Sequence, residues 1–145
     1  MNELSFDSLK LENQLCFPLY ACSKEVVKKY RPLLDELDIT YTQYITMMVL
    51  WEKKEINVKD LGKILYLDSG TLTPLLKKLE KKGYISRKRN SEDERYMDIC
   101  LTEEGEKLRQ RALKVPQEIG KCINLSPEDS ITLYQLLYKL LGNME

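Results

Sequence analysis

Apolar residues recur at helical spacing along most of the chain. From Leu9 to Leu37 they fall three and four positions apart, and Pro18 and Pro32 interrupt the pattern. Because proline removes a backbone donor and bends or ends a helix, this segment predicts one bent helix or two consecutive helices. The sequence "TYTQ" at positions 40–43 has the form of a capping box. It predicts a second helix that runs to about Trp51.

Start and stop signals mark the remaining helices. A polar residue that can cap a helix precedes each of four further apolar patterns, and Gly83 is a stop signal. Acidic residues in the first turn strengthen the last two starts, because they face the positive end of the helix dipole. Helices are therefore predicted after Asn57, from Asp68 or Ser69 to Gly83, from Thr102 towards Cys122 with bends at Pro116 and Gly120, and after Ser126.

The period of the pattern changes after Gly83. The segments "YISRKR" and "RYMDICL" alternate and are rich in residues that favour strands, and the polar turn "NSEDE" joins them. This arrangement predicts a β-hairpin. A short helix, a helix that ends in a basic turn, and a hairpin follow one another at the centre of the chain, which is the order of a winged helix-turn-helix. The predicted fold class is therefore mainly α with a small β-hairpin.

Length and composition narrow the class of protein. The chain has 145 residues, of which 43% are hydrophobic and 32% charged, as expected for one soluble domain. The longest apolar run, Tyr44 to Trp51, is too short to cross a bilayer, and the first ten residues lack the apolar region of a signal peptide. We therefore expect a cytoplasmic protein that has no membrane partner.

The distribution of charge matters more than its sum. The net charge is zero, from 23 basic and 23 acidic residues, which taken alone argues against a nucleic-acid-binding protein. Between Lys77 and Arg89, however, seven residues are basic and one is acidic. A solvated helix face followed by an ordinary hairpin would also contain lysines. A basic helix beside a basic hairpin favours DNA binding over that interpretation.

The chain has no histidine, and its four cysteines are not arranged as CxxC pairs. These facts exclude Ser–His and Cys–His catalytic pairs and metal sites that contain histidine, and they make a zinc knuckle or a thioredoxin-type motif a poor fit. We therefore expect no catalytic residues, no metal and no cofactor. In a reducing compartment the default state of the cysteines is a free and mostly buried thiol.

Candidate DNA-binding residues follow from the geometry of a helix-turn-helix, in which the first residues of the second helix meet base edges. Hydroxyl groups can read those edges, lysines reach phosphates, and an arginine at a wing tip suits a narrow minor groove. An acid beside that arginine would repel phosphate unless it braced an arginine. The predicted DNA-binding residues are Ser69, Thr71, Thr73 and Lys77 on the helix and Arg87, Arg89 and Arg95 on the wing, with Asp93 as the brace.

These motifs resemble a known family. The segments "LDSGTLTPLLKKLE", "R.R...DER" and "LTEEG" are similar to the signature of the MarR-family transcriptional regulators. The segment from Lys10 to Tyr44 narrows the resemblance to the OhrR-type repressors, which sense organic hydroperoxides. The resemblance implies a homodimer that binds an inverted repeat of double-stranded operator DNA. It also implies that residues 1–145 form one protomer, with dimerisation helices at about 9–38 and 103–145 and the DNA-binding winged helix at about 39–102.

The same resemblance implies that Cys16 is the redox-sensing thiol and that Tyr20, Tyr30 and Tyr41 hydrogen-bond its thiolate. The spacing permits part of this to be tested. Cys16, Tyr20 and Tyr30 share one helix face, but fourteen residues separate Cys16 from Tyr30, about 21 Å along a straight helix. The two side chains therefore meet only if the helix breaks or if an antiparallel partner chain supplies the tyrosine.

Two features of this segment leave alternatives open. Pro18 either starts the helix near Phe17, which places Cys16 at the positive end of the dipole and favours its thiolate, or is a kink without a chemical role. Oxidised Cys16 either pairs with Cys122, which lies where two-cysteine members of the subfamily carry a resolving cysteine, or is capped by a small cellular thiol. Cys22 is on another face of the helix, about 9 Å away along it.

The sequence is compatible with three functions. The first is a repressor that releases its operator when an organic hydroperoxide oxidises Cys16. The second is a MarR-type regulator that a small phenolic or aromatic ligand releases, with Cys16 structural. The third is a thiol peroxidase, which the sequence disfavours because Arg31 is fifteen residues from Cys16 and cannot stabilise the departing oxyanion there.

Overall fold

A computed structural model of the chain describes residues 5–144. Two short 3-10 turns, Phe6–Leu9 and Leu11–Asn13, precede the regular elements. These elements are helices α1 (Cys16–Asp35) and α2 (Tyr41–Lys53), strand β1 (Glu55–Asn57), helices α3 (Val58–Leu65) and α4 (Ser69–Lys81), strands β2 (Ile85–Arg89) and β3 (Met97–Leu101), and helices α5 (Glu103–Ala112), α6 (Val115–Cys122) and α7 (Pro127–Met144).

The first long helix begins later than the apolar pattern predicts. The pattern starts at Leu9, but α1 starts at Cys16, and Pro18 occupies its first turn. Proline is tolerated there because the first amides of a helix have no intrahelical acceptor, whereas a helix that began at Leu9 would place Pro18 in its interior. Pro32 lies inside α1, one turn before its end, and the helix continues through it to Asp35.

Most of the predicted caps are present. Thr40 and Gln43 form the capping box of α2, Asn57 caps α3, Asp68 caps α4 and Thr102 caps α5. The predicted helix from Thr102 towards Cys122 is divided into α5 and α6, because the chain turns at Leu113 and Lys114 before Pro116.

The hydrophobic core surrounds α2. Met47 and Leu50 are fully buried, and the inner face of α4 and residues of β2, β3 and α5 supply further buried side chains. The chain divides into two compact units, the first ending at Val115 and the second beginning at Pro116. The second unit contains α7, whose side chains are largely exposed. None of the helices within residues 5–144 has the length and apolar character needed to cross a membrane.

Helices α3 and α4 form a helix-turn-helix. Tyr66 adopts the left-handed conformation after α3, and a Cβ on Gly62 would lie 2.9 Å from the carbonyl oxygen of Leu67, so the turn requires glycine there. The wing hairpin of β2 and β3 is extended by β1 to a three-stranded antiparallel sheet in the order β1-β3-β2. The sequence did not predict β1, because three residues are too few to establish an alternating pattern.

Candidate nucleic-acid interface and thiol site

Helix α4 presents a polar face to solvent and an apolar face to the core. Its buried positions are Leu72, Leu75, Leu76 and Leu79. The carboxylate Oδ1 of Asp68 accepts from the amide of Thr71 at 2.8 Å and fixes the start of the helix. The four predicted DNA-contacting positions on this helix, Ser69, Thr71, Thr73 and Lys77, are all exposed.

At the tip of the wing, Arg95 and Asp93 form an ion pair. Arg95 Nε lies 3.0 Å from Asp93 Oδ1, and Arg95 Nη2 lies 2.8 Å from Asp93 Oδ2. Hydrogen bonds from the arginine hold the pKa of the Asp93 carboxyl below its ordinary value. The Arg95 side chain is 85% exposed. The pair therefore keeps a guanidinium oriented at the surface of the wing, and it compensates the negative charge of Asp93.

The two remaining predicted wing residues have different surroundings. Arg89 is exposed and donates from Nη1 to the carbonyl oxygen of Glu94 at 3.0 Å, across the hairpin. Arg87 is half-buried, and its Nη2 donates to Glu80 Oε1 on α4 at 3.0 Å. That both arginines contact DNA stays a prediction, and Arg87 is already engaged by an acid in this structure.

Cys16 is exposed and is the first residue of α1. The thiol therefore lies at the end of the helix where backbone N–H groups are unpaired and the dipole is positive. Tyr20, one turn further on, is 63% exposed. Because α1 runs unbroken to Asp35, Tyr30 lies about 21 Å from Cys16 along the axis. The structure thus brings Cys16 near Tyr20 but not near Tyr30 within one chain.

Tyr30 and Tyr41 belong to an aromatic cluster that also contains Tyr44. The ring centroids of Tyr30 and Tyr41 are 4.9 Å apart, and Tyr44 lies 5.8 Å from Tyr30 and 6.4 Å from Tyr41. Burial raises the pKa of all three phenols, and with the neighbouring Tyr30 and Tyr41 it raises the pKa of Tyr44 to about 12. The phenols are therefore neutral hydrogen-bond donors over the physiological pH range.

Sequence reasoning missed Tyr44 as a member of this cluster. Its signal was present, since Tyr44 follows Tyr41 by three positions and so shares a helix face with it. The cluster continues inwards to Trp51, whose ring centroid is 6.3 Å from that of Tyr44. The indole Nε1 of Trp51 donates to the carbonyl oxygen of Gly105 on α5 at 2.8 Å.

The other cysteines occupy unlike environments. Cys22 is exposed on α1, and Cys122 is the exposed last residue of α6, with its thiol 3.6 Å from the Glu118 carbonyl oxygen. Burial, with Glu55 nearby, raises the pKa of the Cys100 thiol in β3, which opposes its ionisation. The structure has all four cysteines as free thiols. Over residues 5–144 we find no cluster of cysteine and acidic side chains that could hold a metal.

Comparison with known proteins identifies the family. Residues 24–112 match the family described as transcriptional regulator SarA/Rot. The organic hydroperoxide resistance transcriptional regulator of Bacillus subtilis is 52% identical over 142 residues, which cover 98% of this chain and 97% of that protein. The chain belongs to the MarR family of transcriptional regulators. The resemblance noted in the sequence is thereby confirmed.

Solved structures of another MarR-type regulator, AbfR, have the same fold. AbfR in its overoxidised form, bound to DNA, superposes with a TM-score of 0.77 at 32% identity, covering 98% of this chain and all of that one. The disulfide form of AbfR superposes with a TM-score of 0.63 at 32% identity, covering 95% and 94%. AbfR is a protein of Staphylococcus epidermidis.

These comparisons confirm the predicted winged helix-turn-helix fold and the prediction that the chain is a transcriptional regulator. The roles of individual side chains, and the division into dimerisation and DNA-binding segments, stay predictions.

Proposed function

We propose that this MarR-family regulator is a repressor that senses organic hydroperoxides through Cys16 and then releases its operator. The observation that carries the proposal is the position of Cys16, an exposed thiol at the positive end of α1, in a chain 52% identical to an organic hydroperoxide resistance regulator. The repressor acts in the cytoplasm, as a homodimer on an inverted repeat in double-stranded DNA.

The DNA-reading surface in this proposal is the exposed face of α4 together with the wing. Ser69, Thr71 and Thr73 meet base edges in the major groove, and Lys77 and Arg89 reach phosphates. Arg95, held by Asp93, enters the minor groove. AbfR, whose solved structure contains DNA and covers 98% of this chain, supports this surface.

Exposed apolar side chains support the homodimer. Single soluble chains rarely expose large contiguous apolar surfaces, and a partner subunit would cover these. In the dimer, Tyr30 and Tyr41 of the second subunit approach Cys16, since α1 runs unbroken from Cys16 past Tyr30 and Tyr41 lies beside Tyr30 in the same subunit. The exposed apolar residues include Leu15, Phe17, Leu19 and Tyr20 on or beside α1, and Ile131, Leu133, Tyr134, Leu136 and Tyr138 on α7.

The chemical step is an oxygen transfer to sulfur. The Cys16 thiolate attacks the terminal oxygen of the hydroperoxide, an S–O bond forms and the O–O bond breaks. The peroxide is reduced to an alcohol, whose oxygen takes up a proton, and the thiolate is oxidised to a sulfenic acid. The neutral tyrosines donate hydrogen bonds to the thiolate without adding negative charge. The Cys122 thiol, or a small cellular thiol, then displaces the hydroxyl group as water and forms a disulfide.

In this scheme, formation of the disulfide is the step that causes operator release. At the same identity, this chain, with its free thiols, superposes better on overoxidised, DNA-bound AbfR than on the disulfide form. A dimer whose two reading helices are rearranged no longer fits successive turns of its operator, so its affinity falls.

The test is operator binding by the reduced protein, followed by fluorescence anisotropy before and after one equivalent each of cumene hydroperoxide and a small thiol. Wild type and Cys22→Ser should both bind and both release, whereas Cys16→Ser should bind and stay bound. Release of Cys16→Ser by the peroxide would refute the proposal. Release by an aromatic acid alone would identify a ligand-controlled regulator, and continuous consumption of excess peroxide would identify a thiol peroxidase.

The partner of oxidised Cys16 is tested separately, by non-reducing gel electrophoresis after peroxide treatment. The Cys16–Cys122 pairing between subunits predicts a dimer-sized band that Cys122→Ser abolishes and Cys22→Ser retains. A band that persists in Cys122→Ser, or the absence of any such band, refutes this pairing. Mass addition of a supplied small thiol to Cys16 in the same sample would establish the capped form instead.

A further inference from the structure

Glu80 is the one acidic residue between Lys77 and Arg89, a stretch that contains seven basic residues. It lies in the last turn of α4, the helix whose outer face reads DNA in the function proposed above. A free carboxylate there would repel phosphate and weaken binding. The structure shows instead that Glu80 is paired, with its Oε1 atom 3.0 Å from Arg87 Nη2 on strand β2.

The position of Arg87 on its strand explains this pairing. Side chains alternate between the two faces of a strand, so Arg87 points to the same side as Ile85, which is buried. Ser86 and Lys88 point to the other side and are exposed. Arg87 is therefore directed inwards, and its side chain is only 26% exposed.

The pair is partly desolvated, which makes it sensitive to the loss of either partner. Arg87 Nε is buried and lacks a hydrogen-bond partner among the described residues, so Glu80 is the acceptor on which the guanidinium depends. A buried charge that loses its partner is destabilising, whereas an exposed ion pair contributes little. The hydrogen bond from Arg87 also holds the pKa of the Glu80 carboxyl below its ordinary value.

We infer that Glu80 and Arg87 are positioning residues that hold the wing at a set angle to the reading helix, so that both can engage DNA together. The pair joins the last turn of α4 to the first strand of the wing, seven residues later in the chain. The stretch between them contains Gly83, with a φ of 83°, where the chain reverses. Arg87 thus acts on DNA binding through Glu80 and does not contact phosphate. The inference rests on the proposed DNA binding.

The test compares variants on one duplex, selected by the wild-type protein from a random-sequence pool. If Glu80 acts only through its charge, Glu80→Gln should tighten binding. If Glu80 is a positioning residue, Glu80→Gln should weaken binding about tenfold. Arg87→Gln should then weaken binding equally, and neither variant should lower the slope of log Kd against log salt. The double variant should bind no more weakly than either single variant. Lys77→Gln is the matched control, since loss of a phosphate contact lowers the slope by about 0.9 per contact.

The charge swap Glu80→Arg with Arg87→Glu keeps both the pair and the net charge. It should recover most of the affinity if the pair positions the wing, and it should bind worst of all if residue 87 contacts phosphate. A lower salt slope for Arg87→Gln would overturn the inference while leaving the proposed function intact. Failure of the wild type to bind any selected duplex would instead refute the function.

Stability is measured on the same variants without DNA. Urea denaturation should show that the two single substitutions are not additive, because the pair forms in the free protein. A pair that serves stability alone would lower the urea midpoint and leave the affinity of the folded protein at the wild-type value. That result would also overturn the inference.

Discussion

Lys82, the residue that follows helix α4, donates from its amine to the backbone carbonyl of Asp38 and lies 3.3 Å from the Asp38 carboxylate. Asp38 follows α1 in the turn to α2 and has a φ of 55°, a left-handed conformation in which its carbonyl reaches the lysine. Helix α1 carries Cys16 at its other end. The contact therefore connects α1, which bears the thiol, to α4, the helix proposed to read DNA, within one subunit.

This contact predicts a defect in signalling with little loss of stability. Lys82→Met should change the free energy of unfolding by less than about 1 kcal/mol, because the Asp38 side chain is almost fully exposed. It should reduce the coupling between Cys16 oxidation and operator affinity by about 0.5–2 kcal/mol. Anisotropy titrations of reduced and oxidised protein measure that coupling. Lys81→Met is the control, and equal coupling in the two variants would exclude a role for Lys82.

Gly105 predicts a large effect on stability at the base of the wing. A Cβ there would lie 2.6 Å from Leu101 Cδ1 and closer still to the carbonyl oxygen of Tyr84, the residue before β2. Gly105→Ala should therefore destabilise the fold by about 1–3 kcal/mol or more, since backbone cannot move aside cheaply. The control is Gly120→Ala, where the added methyl meets nothing within 4 Å and should stabilise by about 0.5–1 kcal/mol. Urea denaturation at neutral pH distinguishes them, and equal midpoints would contradict the packing.

The aromatic cluster predicts how stability depends on pH. Tyr44 ionises at about 12 in the folded chain against 10.0 in its ordinary state, so the unfolded chain loses this proton first as the pH rises. Below about pH 10 the ionisation of Tyr44 leaves the free energy of unfolding unchanged. Between about pH 10 and 12 it lowers that free energy by about 3 kcal/mol. Tyr44→Phe should flatten that part of the curve of unfolding free energy against pH. An unchanged curve, or ultraviolet titration of Tyr44 near its ordinary value, would contradict this.

The wing tip predicts that an acid helps to bind DNA. Arg95→Gln should weaken operator binding by about 1–3 kcal/mol. Asp93→Asn should also weaken it, though less, because Arg95 loses one of the two carboxylate oxygens that orient it. Glu92→Gln removes an acid from the same exposed tip and should bind as tightly as wild type or more tightly. If Asp93→Asn behaves like Glu92→Gln in titrations at a fixed salt concentration, Asp93 is not a brace.

Local signals predicted the helix starts well. Four helices have the predicted caps, which are Thr40, Asn57, Asp68 and Thr102, and the Ser126 hydroxyl accepts from the amide of Asp129. These starts could be predicted because each capping side chain bonds an amide only three residues further along the chain. The apolar period alone placed the start of α1 too early, at Leu9, whereas the alternative that Pro18 starts the helix near Phe17 agrees with the observed start at Cys16. Strand β1 was missed because it pairs with strand β3, which is far away in the chain, with Ile56 opposite Ile99.

The sequence by itself determined the order of the helices and the wing hairpin, the class of regulator and the candidate thiol, because periodicity, capping and motif spacing are properties of neighbouring residues. Only the tertiary structure decided which charged side chains are paired with other groups of the protein. Whether Arg87 faces DNA or Glu80 depends on how the wing packs against α4. The bonds from Trp51 to Gly105 and from Lys82 to Asp38 join residues 54 and 44 positions apart. Such contacts form only when the whole chain has folded, so no local pattern encodes them.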